Sequence, residues 1–513
     1  MSSRTLRFMG LGMVAAAGAG FLSLAAMTNP GHARADDIGL VLGGSGTPIP
    51  GNLYVESAAG HYLFPTYGTD ISFYQGTPTN PFGEGLYTPE GLYPLTGVHT
   101  LPLNYPAGTD GFPSESTSVG QGATILTNTI ESEIANGNTA TVFGYSQSST
   151  ISSIVMQQLA ADHISSDDVR FLLVGDPSAP DGGLLSRFDG YTDMAGMAHN
   201  LQLNLPSLGV AFDGATPSDD YVTSIYSIEY DGFTDFPKYP LNFLADLNAF
   251  LGIQTLHGHY LDGGNGTGGL GTGPSLADIA NATHLPTSTD VSTEYYMITT
   301  LGGTDTVPGA EITPPLVALL PAPLQQLLGP DLTYLINLGY GDGSQGWADG
   351  PADVNTPFGL FPDVSMSEVF SNLAAGWQQG LDNYAAYMLD PGAVDPTVAD
   401  PGAGLDFSAL LENLAADPTG FFTDFVNALT TASSALYSTL LPTADIINAL
   451  VTSMPAYDFA LFADNIANGD LLDAIGLPFA ADTALFTLAG GFELEVLQSA
   501  ATDITNAFAG LFS

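Results

Sequence analysis

The 513-residue chain contains no cysteine and very few basic residues. The absence of cysteine excludes disulfides, a thiol nucleophile, cysteine-ligated zinc or iron–sulfur centres, and the acylated cysteine of a lipoprotein. Only 6 lysines and arginines stand against 53 aspartates and glutamates, a formal net charge of −47. Binding to nucleic acid or to anionic lipid head groups requires clustered positive charge, so neither is an expected partner.

Charged residues of either sign are also scarce, at 12%, whereas hydrophobic residues make up 45%. Such a composition can bury a large core, which separates this chain from acidic disordered proteins. The length corresponds to between two and four domains.

Residues 1–35 have the layout of a signal peptide. Two arginines precede an apolar run at 8–27, and an Ala-Arg-Ala segment follows at 33–35. This order of basic, apolar and small residues predicts secretion to the cell envelope or beyond, with cleavage after Ala35. An uncleaved membrane anchor is the alternative, because the apolar run is about long enough to span a bilayer.

A short segment at 141–149, TVFGYSQSS, indicates a nucleophile elbow. A β-branched and aromatic run reaches Gly144, Ser146 follows two residues later, Ser148 comes next, and a helical pattern begins directly afterwards. Small residues on both sides of the serine allow a tight turn from strand to helix, which exposes the hydroxyl group. Ser148 stands where the strict pattern has glycine. Ser146 is therefore the candidate nucleophile.

A nucleophilic serine requires a histidine base, which lies after the last strands in α/β hydrolases. His257 and His259 directly follow a late apolar run at 253–256, so they fit this position better than the other histidines downstream of Ser146.

The acid that orients the base usually follows a late strand. A β-branched run at 222–230 is followed by Asp231 and Asp235, while Asp176 ends an earlier strand. We predict Asp235 as the acid and keep Asp231 and Asp176 as alternatives.

An oxyanion hole requires two hydrogen-bond donors. The backbone N–H of Gln147, which follows the candidate nucleophile, is the first. The second is expected from the glycine-rich loop after the first strand, at Ser45 or Gly44. This chemistry needs no metal and no organic cofactor.

Apolar runs alternate with helical patterns between residues 36 and 300. This alternation predicts an α/β fold whose mostly parallel sheet is covered by helices on both faces. Proline-rich segments then indicate a linker over 301–400, and amphipathic stretches broken by prolines predict a helical region over 401–513 without a recognisable site.

The segment from residue 36 to about 300 resembles the PE-PPE domain, a mycobacterial serine α/β-hydrolase domain related to cutinases. The matching motifs occur in order along the chain: LGGSGTP at 42–48, NYPA at 104–107, GYSQS at 144–148, GDP at 175–177 and YDGFTDFP at 230–237. A segment at 328–342 is similar to the tail common to these proteins. The family accepts serine at the position of Ser148, and its histidine corresponds to His257.

The resemblance implies a cutinase-like α/β-hydrolase fold and an acyl-serine intermediate. Members include esterases that act on acyl esters and cell-envelope acyltransferases that move fatty acyl groups between trehalose glycolipids. The expected partners are therefore an acyl ester or glycolipid substrate and the lipids of the cell envelope. A wall-associated protein without activity is a third possibility, which the serine, aspartate and histidine set disfavours.

Overall fold

A computed structural model describes the larger part of this chain. The described residues are 36–44, 47, 49–77, 79, 81–83, 85–86, 118–188, 204–205, 210–212, 214–262, 273–389 and 418–509. The predicted signal peptide and the NYPA motif lie outside them.

The strands of the described residues are short and mostly apolar. They are β1 (Asp37–Val41), β2 (Ser72–Phe73), β3 (Thr139–Tyr145), β4 (Val169–Val174), β5 (Asn204–Leu205), β6 (Val210–Ala211), β7 (Val222–Ile228), β8 (Thr283–His284), β9 (Thr293–Ile298), β10 (Thr300–Leu301) and β11 (Ala310–Glu311).

Seven of the described strands form one sheet in the order β2-β1-β3-β4-β7-β9-β8. All neighbouring strands in this order, from β2 through to β9, pair in parallel. Within this sheet, only β8 pairs with its neighbour, β9, in the antiparallel direction. The carboxyl ends of β3, β4 and β7 therefore lie side by side, and the loops that follow them meet at one edge of the sheet.

The helices are α1 (Asn52–Ala58), α2 (Phe64–Tyr67), α3 (Ser118–Ala135), α4 (Gln147–Ala161), α5 (Phe243–Thr255), α6 (Leu276–Ala280), α7 (Pro315–Ala318), α8 (Ala322–Asn337), α9 (Met366–Leu389), α10 (Pro418–Ser438), α11 (Leu440–Asn448), α12 (Met454–Asn468) and α13 (Leu471–Ala509). A π-helical turn, Ala59–Leu63, joins α1 to α2, and another, Ala449–Ser453, joins α11 to α12.

Successive residues of the central strands enter two different hydrophobic clusters because side chains alternate across a sheet. Val142 packs with α3 and α4 on one face, whereas Phe143 packs with the 52–67 segment and α5 on the other. Both faces are thus covered, which explains why these strands are mostly buried. The predicted α/β class, the mostly parallel sheet and the helical C-terminal region are confirmed.

Residues beyond 300 also contribute to this core. Val317, Ile336 and Tyr340 are buried in the same cluster as Phe143. The stretch predicted as a linker over 301–400 therefore carries three helices in its described part, 301–389, and α7 and α8 pack directly on the sheet domain.

We call the helices α10–α13 the C-terminal helices. Three of them, α11–α13, pack on the loops at the carboxyl edge of the sheet, and α10 packs on α13. By length and composition alone, Ile446–Asn468 and Leu471–Gln498 could each cross a membrane. Both segments also supply buried residues to this packing, among them Leu461 and Leu485.

Arg187 is fully buried in the loop that follows β4 and connects three segments of the chain. Its guanidinium pairs with Asp181 at 3.0 Å and donates hydrogen bonds to the carbonyl oxygens of Thr356 at 2.6 Å and Phe236 at 3.2 Å. Removing one partner of a buried ion pair leaves the other charge uncompensated, which typically costs about 3–5 kcal/mol. We expect Arg187→Met to lower the free energy of unfolding in urea by about that amount.

Arg170→Met is the matched control for this prediction. Arg170 pairs with Asp37 near the amino end of the sheet, where its side chain remains 31% exposed. Partly exposed ion pairs contribute about 1 kcal/mol or less. Equal losses of stability in the two variants would contradict a special role for Arg187.

Candidate active site

Ser146 lies at the sharp turn between β3 and α4. Its backbone has φ 56° and ψ −119°, a conformation that is strained for a residue with a side chain. A Cβ atom at Gly144 would lie 2.8 Å from the carbonyl oxygen of Ser148, so this position requires glycine. The Ser148 hydroxyl accepts a hydrogen bond from Tyr145 N at 2.7 Å and thereby closes the turn, which accounts for serine where the strict pattern has glycine.

His257 contacts Ser146 directly. It lies in a 3₁₀ turn, His257–His259, just after α5. Its Nε2 is 2.7 Å from Ser146 Oγ, and its Nδ1 is 2.8 Å from Asp231 Oδ2. With Nδ1–H donating to the carboxylate, Nε2 is left free to accept the serine proton. His259 instead pairs with Asp262 at the surface.

Asp231 is fully buried and has its acceptor sites occupied. Phe233 N donates to Oδ1 at 3.1 Å, and the Tyr260 hydroxyl donates to Oδ2 at 2.8 Å, the same oxygen that faces His257. These donors hold the carboxylate in one orientation and stabilise its negative charge.

The expected pairing of Asp235 with His257 is wrong. The chain folds into a tight turn after β7, in which the N–H groups of Thr234 and Asp235 both donate to the Asp231 carbonyl. Asp235 is thereby directed away from the histidine, and its Oδ2 accepts from Tyr230 N at 2.9 Å. Burial, with Glu229 nearby, raises the pKa of Asp235 well above its usual value.

Asp176, the other alternative acid, is also bound elsewhere. Thr216 Oγ1 donates to its Oδ2 at 2.6 Å, and Ser178 N donates to its Oδ1 at 3.0 Å. Burial raises the pKa of Asp176 from 3.8 to about 6, and these two hydrogen bonds limit the increase.

The raised pKa of Asp176 predicts a pH-dependent stability. A carboxyl group whose pKa is higher in the folded state stabilises the protein fully below about pH 4, and this contribution is lost as the pH rises to about 6. Asp176→Asn removes that dependence. We expect the unfolding free energy of Asp176→Asn, relative to that of wild type, to rise by about 2.4 kcal/mol between pH 4 and pH 7 in urea titrations. A difference that is constant with pH would contradict the prediction.

The predicted oxyanion donors are only partly described. Gln147 is the first residue of α4, directly after Ser146. Ser45 lies outside the described residues, but its neighbour Gly44 does not. A Cβ atom at Gly44 would lie 3.4 Å from the Cβ of Ser146, so the backbone of this loop approaches the serine closely.

Two tyrosines at this site were not predicted from the sequence. Tyr145 donates from its hydroxyl to the carbonyl oxygen of His257, and Tyr260 binds Asp231 as described. Burial raises the pKa of Tyr260 well above its usual value, so its phenol remains a donor. The sequence signal that could have indicated these roles was proximity: Tyr145 directly precedes Ser146, and Tyr260 lies three residues after His257.

Tyr260→Phe tests whether this hydroxyl positions the carboxylate. We expect kcat on an activated ester to fall by about tenfold, since the lost hydrogen bond to a charged group is worth about 1.5–3 kcal/mol and only part of it acts on the histidine. Tyr62→Phe is the control, because the Tyr62 hydroxyl donates to the Tyr260 carbonyl at 2.9 Å without touching Asp231. Equal activity of the two variants would argue against the positioning role.

In the part of the chain that the structure describes, no group of three or more histidine, aspartate or glutamate side chains is arranged to hold a metal ion. Asp342 and Asp349, which lie in one glycine-rich loop, are joined by a hydrogen bond from Asp342 N to Asp349 Oδ2 at 3.1 Å.

The parallel sheet and the turn at Ser146 define an α/β-hydrolase-like protein. A family model described as the PE-PPE domain matches residues 80–341. The chain therefore belongs to the PE-PPE domain family, as its motifs predicted.

Several relatives come from Mycobacterium tuberculosis. The uncharacterized PPE family protein PPE28 is 39% identical over 92% of this chain and 67% of its own length. Esterase PE16 is 36% identical over 63% of this chain and 51% of its own length, and the PE family protein PE3 is 34% identical over 66% and 61%. The chain thus spans between about half and two thirds of these relatives. No solved structure matches it significantly.

Proposed function

We propose that this protein is a serine esterase or lipase that cleaves acyl esters through an acyl-Ser146 intermediate. The observation that carries the proposal is the hydrogen-bonded chain from Ser146 through His257 to Asp231. The similarity to Esterase PE16 and the PE-PPE family supports the same class of reaction.

In the proposed reaction, Ser146 Oγ attacks the ester carbonyl carbon while His257 Nε2 takes its proton. Asp231 balances the positive charge that forms on the imidazole. The C–O bond to the alcohol breaks as His257 returns the proton to the leaving oxygen. Water then attacks the acyl-serine with His257 again as the base, which releases the carboxylic acid and the free serine. The backbone N–H of Gln147 and a donor from the 43–47 loop are proposed to stabilise the oxyanion.

A fluorophosphonate probe with p-nitrophenyl esters of increasing chain length tests this proposal. We expect covalent labelling of the purified protein, located at Ser146 by peptide mapping, and release of p-nitrophenol. Absence of labelling would overturn the proposal. Labelling with negligible hydrolysis, restored when a trehalose glycolipid acceptor is added, would instead assign the protein as an acyltransferase.

Secretion and contact with cell-envelope lipids form part of the same proposal. The arginines, apolar run and small residues of 1–35 support it. N-terminal sequencing of the protein from culture medium and from the cell envelope is expected to begin at Asp36.

A further inference from the structure

Three of the C-terminal helices, α11–α13, lie on the edge of the sheet that carries the candidate active site. One hydrophobic cluster joins residues of the loops after β4 and β7, of helix α5 and of the segment before α9 to residues of the helices α11, α12 and α13. In addition, the Tyr457 hydroxyl of α12 donates to the carbonyl oxygen of Phe188 at 2.7 Å. Because ligands of open α/β sheets bind outside the carboxyl ends of the strands, this packing puts the helices beside the substrate path.

Phe233 is the residue that links these helices to the triad. Its N–H donates to Asp231, and its ring lies against the His257 ring with centroids 4.6 Å apart at 64°. The same ring also contacts Phe492 of α13, with centroids 5.7 Å apart at 38°. Phe233 is only partly buried, whereas Phe492 is 3% exposed.

We propose that Phe233 forms an apolar wall of the acyl-binding site beside His257 and that Phe492 positions it, so that the C-terminal helices influence acyl-chain selection. This inference rests on the proposed esterase function. An acyl group attached to Ser146 Oγ lies within a few ångströms of His257, because Nε2 and Oγ are only 2.7 Å apart. A partly exposed phenyl ring packed against that imidazole offers the chain apolar surface.

The chain-length dependence of kcat/KM tests the inference. Each methylene group buried against a protein wall contributes about 0.8 kcal/mol, a factor of about four. Phe233→Ala is therefore expected to lower the ratio of kcat/KM for p-nitrophenyl octanoate over p-nitrophenyl acetate by about tenfold. The rate of fluorophosphonate labelling is expected to change much less, since the triad remains in place.

The positioning role of Phe492 is tested by a double-mutant comparison. Phe492→Leu should shift the octanoate-to-acetate ratio in the same direction as Phe233→Ala, and the two changes together should add little to Phe233→Ala alone. Phe486→Ala is the matched control, because Phe486 lies on the same helix with 60% of its surface exposed. We expect it to leave the ratio unchanged.

The possible outcomes separate the inference from the proposed function. An equal loss on both esters would assign Phe233 a purely structural role and overturn the inference. If Phe233→Ala does not fold, the octanoate-to-acetate ratio of kcat/KM is measured in Phe233→Leu and Phe233→Trp instead. Tryptophan should lower the turnover of octanoate but not that of acetate. An unchanged ratio in both variants would overturn the inference. A wild-type protein that is neither labelled nor active on any ester would instead refute the proposed function.

Discussion

Ser146→Ala is expected to abolish fluorophosphonate labelling and to lower kcat on acyl esters by about 10⁶-fold. Ser146 Oγ is the atom that faces His257 Nε2 at 2.7 Å, and alanine removes it without changing the backbone. Steady-state hydrolysis of p-nitrophenyl esters and gel detection of the probe measure the two effects.

Ser146→Gly separates the chemical role of this residue from its backbone strain. Glycine adopts a positive φ without strain, and the φ of 56° at Ser146 is expected to cost about 1–3 kcal/mol. Both variants should be inactive, but the glycine variant should withstand more urea than the alanine variant. Residual activity in either variant close to that of wild type would exclude Ser146 as the nucleophile.

Asp231→Asn is expected to lower kcat by about 10³–10⁴-fold. An amide at this position can donate a hydrogen bond to Nδ1 of His257. This favours the histidine tautomer that carries its proton on Nε2, and a protonated Nε2 cannot accept the proton of Ser146. The substitution retains the size of the side chain, so the fold should persist, and circular dichroism checks this alongside the kinetics.

Asp235→Asn is the matched control, because Asp235 lies in the same turn and is equally buried. Burial raises its pKa well above the usual range, which favours the neutral acid, and a neutral amide should therefore replace it with an effect on kcat of about threefold or less. A larger loss in Asp235→Asn than in Asp231→Asn would restore Asp235 as the acid.

The fold class could be predicted because each strand and helix carries its own local pattern. Strands with long apolar stretches, such as β3 and β4, alternate with helices, and this order leaves little choice other than a mostly parallel sheet covered on both faces. The strand order, in contrast, depends on which distant strands pair, and it could be observed only in the folded protein.

The candidate site divides in the same way. The turn at Ser146 was predictable because its determinants lie within five residues: Gly144 avoids a clash with Ser148, and the Ser148 hydroxyl closes the turn. The roles of Phe233 and Tyr260 were not predicted, because each depends on a contact with a residue that is distant along the chain. Phe233 contacts His257 and Phe492. Tyr260 binds Asp231.

By itself the sequence determined the elbow at Ser146, the α/β class and the family. The tertiary structure alone decided that His257 faces Asp231 and not Asp235. Both aspartates follow β7 at positions that local pattern treats alike, but only one carboxylate points to the place where the chain returns after α5. That choice depends on hydrogen bonds formed between segments 26 residues apart, which exist only once the sheet and α5 have packed together.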